Sequence, residues 1–142
     1  MELLMKRAFV LFLSVWLVGW ASILEESLQS QKKFFYDLFS ALFSKRYVRV
    51  YIANKRYRKI FEDPHYFIVE YKCQRSDLVI GFSKECTKTY HFVFSYEDFK
   101  KDPLAFGAFY WKKGRPQLIF RRTLVVKINP KAVQWLQKYF DF

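Results

Sequence analysis

The chain is poor in the residues that build many familiar sites: its 142 residues include 2 Cys, 2 His, 4 Gly and 4 Pro. So few glycines and prolines exclude collagen-like and low-complexity architectures, and two cysteines exclude a disulfide-dense scaffold. Gly19, Gly81, Gly107 and Gly114 are scattered, so no phosphate-cradling or dinucleotide-binding loop is spelled out. His65 and His91 stand far apart, with no CxxC or HxxxH spacing, which leaves no metal-ligand pattern and no expected cofactor. Acids are scarce as well, 13 against 25 Lys and Arg, giving a net charge of +12.

What is abundant is apolar and aromatic. Hydrophobic residues make up 52% and aromatics 22%, led by 17 Phe and 10 Tyr. That much apolar surface excludes a disordered tail, and the length fits a single domain.

The first residues read differently from the rest. Lys6 and Arg7 precede an uncharged run over residues 8–21, and Gly19 and Ala21 supply the small residues before a cut at Ser22. Residues 1–21 are therefore expected to be a signal peptide and 22–142 one α+β domain. The alternative is an uncleaved anchor, since the apolar stretch extends to Leu24, at the lower edge of what spans a bilayer. Either way the domain is expected to be exported, periplasmic or extracellular. In that setting Cys73 and Cys86 are expected to form a disulfide, worth roughly 3 kcal/mol through the loop it closes. In a cytosolic chain they would be free thiols.

Periodicity predicts the elements. Leu24, Leu28, Phe35, Leu38, Phe39 and Leu42 recur at helical spacing over residues 22–44, a long amphipathic helix expected to pack on a sheet. Alternation predicts strands over 47–52 and 56–62, read as a hairpin turning at Asn54 and Lys55, and over 66–73. Further strands are expected over 88–96, 104–111 with a bulge near Gly107, and 117–128 with a bulge near Arg121 and Arg122. Residues 77–82 read equally as strand or loop. Asn129-Pro130 signals a short C-terminal helix. Short connections favour antiparallel neighbours, so the expected fold is a curved, mostly antiparallel sheet of about five or six strands with helices on one face.

No catalytic constellation is legible. Cys86 and His91 would point to opposite faces of a strand, and no pair of carboxylates is brought together by spacing. The functional signal is charge. Lys45, Arg46, Arg49, Lys55, Arg56, Arg58 and Lys59 form an acid-free run interleaved with Tyr47, Tyr51 and Tyr57, and Lys112, Lys113, Arg115 and Arg121 suggest a second patch. The leading expectation is a non-enzymatic module for a polyanionic surface or acidic partner: an anionic membrane, an acidic glycan or an acidic protein. Nucleic acid is expected only for a cytosolic chain or one in a DNA-transfer system. A second reading is a pocket for an apolar small molecule or lipid, walled by Tyr90, Phe92, Phe94, Phe106 and Trp111. A third is an enzyme of unidentified chemistry. The bland counterpart is that the cations only keep an aromatic-rich domain soluble.

Overall fold

The computed structural model describes residues 24–141; the predicted signal peptide, residues 1–21, lies outside them. Helix α1 spans Leu24–Phe43 and buries Phe34, Phe35, Leu38, Phe39 and Leu42, a helical spacing that lines up one apolar stripe. It stops where Ser44 takes a left-handed φ of 54°, and the Lys45 amide donates to the Ser40 carbonyl at 3.1 Å.

Six strands follow: β1 (Val48–Ile52), β2 (Phe67–Val69), β3 (Leu78–Ile80), β4 (His91–Val93), β5 (Ala105–Lys112) and β6 (Arg115–Phe120). They form one sheet in the order β2-β1-β3-β4-β5-β6. The expectation of a mostly antiparallel sheet is corrected: every neighbouring pair is parallel except β5 with β6. The reason lies in the connections. Residues 53–66, 70–77, 81–90 and 94–104 are long enough to cross over the sheet and return the chain to the same end, which a hairpin turn cannot do.

Two sequence assignments change for related reasons, and one left open is resolved. Residues 55–61 form helical turns, a 3-10 turn and helix α2 (Arg58–Phe61), so the predicted Arg56–Glu62 strand and its hairpin do not exist. The adjacent Ile60 and Phe61 are both buried, which a helical turn achieves against one neighbour and a strand with one wet face does not. The predicted long last strand ends at Phe120, and helix α4 (Arg122–Ile128) replaces the expected bulge, burying the adjacent pair Leu124 and Val125. The ambiguous segment 77–82 supplies β3, fully buried in the middle of the sheet.

Helix α3 (Tyr96–Lys101) starts with the Ser95 side chain accepting from the Asp98 amide at 3.1 Å, and helix α5 (Ala132–Trp135) follows the Asn129-Pro130 signal. The main core lies between α1 and one sheet face, with rings of Phe35, Phe39, Phe61, Phe92, Phe106 and Phe120 meeting in edge, tilted and stacked contacts. Two smaller clusters cover the opposite face. One is Val93, Phe99, Ala105 and Ala108 beneath α3; the other is Val79 with Cys73 and Cys86, which are disulfide-bonded across a Cα–Cα distance of 5.9 Å. Between β4 and β5 the register shifts at Ala105–Gly107, as the glycine there predicts, so Phe106 enters the main core.

Candidate functional site

The parallel strands deliver their carboxyl ends to one end of the molecule, and a recess opens there. Its volume is about 240 Å³, and its walls are Gln31 and Phe35 of α1, Arg56, Tyr57 and Ile60 from the segment after β1, Phe94 just past β4, and Phe109, Tyr110 and Trp111 of β5. Each wall is fixed by local structure. Asn54 caps the 3-10 turn by accepting from the Arg56 amide at 3.1 Å, and the amides of Ala53 and Asn54 both donate to the Ile80 carbonyl at 3.0 Å. The chain after β3 must pass close beneath. Gly81 has φ +98°, and a Cβ there would lie 2.7 Å from the Asn54 Cβ.

Tyr57 then lies flat on Phe94, ring centroids 3.6 Å apart and planes 15° apart. Burial pushes the Tyr57 phenol above its ordinary value of 10.0, while the Arg56 cation opposes that shift, so the hydroxyl stays a neutral donor at physiological pH. Burial likewise raises Tyr110, with Tyr96 and Asp141 adding to the effect. Trp111 is 43% exposed and stands edge-on to Phe109, forming the outer lip.

The basic residues divide into two sets. Lys45 pairs with Asp77 and Arg49 with Glu70, both at 2.5 Å, and Arg58 lies 3.8 Å from Glu62. Arg46 sits over the Tyr47 ring. The length of β1, about 15 Å, separates Lys45 and Arg46 from residues 55–59, and Arg49 lies within the strand, so the sequence run is spread along β1 and not gathered at the recess. Arg121 turns inward: its guanidinium donates to the carbonyls of Asp102, at 2.7 Å, and Phe99, at the carboxyl end of α3, and covers the Phe99 ring. Among the described residues, Lys55, Arg56 and Lys59 beside the recess, and Lys112, Lys113 and Arg115 at the hairpin tip beyond Trp111, make no ion pair. That tip turns tightly, Lys113 and Gly114 both having positive φ.

Of the aromatics expected to wall a pocket, Phe94 and Trp111 line the recess, whereas Phe92 and Phe106 are fully buried packing and Tyr90 leans on Phe106. Tyr57 was legible only as part of the basic run, and Tyr110, Phe109 and Gln31 were not legible as site residues, because only the fold brings them together. His91 is 1% exposed, with Nδ1 2.5 Å from Asp102 Oδ2 and Nε2 2.7 Å from the Cys86 carbonyl. Both ring nitrogens are occupied, so it offers no free base to a substrate. Among the described residues no group of three His, Cys, Asp or Glu could hold a metal ion, and no helix is long and apolar enough to cross a membrane.

Fold and recess together define an α+β domain with a mixed, mostly parallel six-stranded sheet and an aromatic cleft at the strands' carboxyl ends. Comparison with protein-family models, curated proteins and solved structures returned no match for this chain.

Proposed function

We propose that the protein is a non-enzymatic binding domain for an acidic partner, working outside the cytoplasm behind a signal peptide or anchor formed by its first residues. The observation that carries the reading is the cation Arg56 in the cleft wall, with Lys55 and Lys59 beside it in the same helical turns and Lys112, Lys113 and Arg115 following Trp111 in the hairpin, none of them in an ion pair among the described residues. Cations already neutralised by Asp77, Glu70 and Glu62 contribute little attraction at a distance, whereas unneutralised ones around a concave surface reinforce one another. The location agrees with the tendency of ligands to bind beyond the carboxyl ends of parallel strands. The disulfide agrees with an oxidising compartment.

The test is a titration of the full-length chain with poly-glutamate over a range of salt. Affinity should fall steeply with salt, and joint substitution of Lys55, Arg56 and Lys59 by Gln should weaken binding and flatten that dependence. The joint change Arg58→Gln with Glu62→Gln should alter binding little, because it removes a pair that carries no net charge. No salt-dependent binding, or an unchanged triple variant, would remove the reading.

A further inference from the structure

Resting on that reading, we infer that the cleft receives an aromatic side chain of the acidic partner, so that the recognised segment is a linear peptide with a ring residue set among Asp and Glu. The recess, about 240 Å³, falls below the roughly 300–1,000 Å³ of pockets that enclose whole small ligands, and matches a single ring side chain. Its floor and walls are rings: Phe35, Phe94, Phe109, Tyr57 and Trp111. Phe35 meets both Phe109, at 5.8 Å, and Phe94, at 6.3 Å, edge-on, an arrangement that offers an entering ring both faces and edges. Gln31 and Arg56 bring the polar groups. An amide at the rim can donate to and accept from an extended backbone, and the guanidinium can take a neighbouring carboxylate in two parallel bonds.

The same observations select the occupant. A lipid headgroup is polar throughout and would leave the ring-lined recess wet, and a flat bilayer cannot enter it. A nucleobase would stack on such rings, but the Cys73–Cys86 disulfide belongs to compartments where proteins, glycans and lipids are the acidic partners at hand. The larger hollow of about 910 Å³ beside β2 carries no comparable argument: its Arg58 is matched by Glu62 and its Glu70 by Arg49, leaving no charge to choose a partner.

The experiment measures binding of the full-length chain to short labelled peptides by fluorescence anisotropy. One peptide has a Phe among acidic residues, a second replaces that Phe with Ala, and a third keeps the Phe but replaces the acids with Gln and Asn. An oligothymidylate and phosphatidylglycerol vesicles serve as the other arms. The acidic Phe peptide should bind best, with the Ala peptide about tenfold weaker or worse and the neutral peptide similarly weak. Trp111→Ala should erase the advantage of Phe over Ala while leaving the salt dependence, and Lys112→Gln with Lys113→Gln should do the reverse. Equal binding of the Phe and Ala peptides would overturn the ring-receiving cleft and leave the acidic-partner reading standing. Equal binding of the neutral Phe peptide, or preference for the oligonucleotide or the vesicles, would also overturn it. Binding to none of the anionic probes would remove both.

Discussion

At the scale of single residues the informative group is His91. The Cys86 carbonyl can only accept, so Nε2 donates to it, and Nδ1 is hydrogen-bonded to Asp102 Oδ2. Asp102 is 2% exposed, and its other oxygen accepts from the Leu104 amide at 3.0 Å. The pair therefore ties the disulfide loop, β4 and the turn into β5 through two side chains. Replacing His91 by Phe would fill the space but strand a carboxylate oxygen away from water, which typically costs about 3–5 kcal/mol. Urea unfolding of His91→Phe should show a loss of that order, with part of it recovered when Asp102→Asn is added, because the amide carries no charge to strand. A loss under about 1 kcal/mol would mean the carboxylate finds water, and that the pair is not the tie described here.

At the scale of elements, the cleft depends on how the segment after β1 rests on the end of β3. Gly81→Ala should be destabilising twice over, since φ +98° is strained for any side chain and the added methyl meets Asn54 at 2.7 Å. The expected loss is about 2–4 kcal/mol in chemical denaturation, and the displaced Asn54–Tyr57 turn should weaken peptide binding in variant protein that remains folded. Unchanged binding would mean that the turn holds its place without this contact. The same segment marks the limit of what the sequence disclosed. Period-two alternation was a sound guide to β1 and β4, where one side chain in two enters the main core. It misled at residues 56–62, where Tyr57, Lys59 and Phe61 alternate by coincidence and the buried pair is Ile60 and Phe61. It misled again past Phe120, where Leu124 and Val125 are buried together. Strand direction was not legible because it follows from where each crossover returns, not from the composition of any one strand. The cleft was half legible for the same reason. Phe94 and Trp111 announced themselves as strand aromatics, and Arg56 and Tyr57 as part of a basic run, but their common position is a property of the connections.

At the scale of the whole molecule the question is whether a surplus of +12 acts as a diffuse field or through a place. The fold separates these possibilities, because it neutralises some cations locally and leaves others beside the cleft. Arg49 is held by Glu70 on the part of β1 remote from the recess, and its side chain is half exposed. Glu70→Gln would release that cation and raise the net charge by one; Arg56→Gln would remove a cation from the cleft wall and lower it by one. A diffuse field would respond to the two changes about equally and in opposite directions. A local site responds unequally, since beyond roughly 8 Å at physiological salt the freed Arg49 is largely screened from the cleft. Binding of the acidic Phe peptide should therefore change by less than about twofold in Glu70→Gln and fall about tenfold in Arg56→Gln, the size expected for a charge-assisted hydrogen bond. Equal and opposite shifts, measured at the same salt, would assign the affinity to net charge and return the basic residues to the simpler task of keeping an aromatic-rich domain in solution.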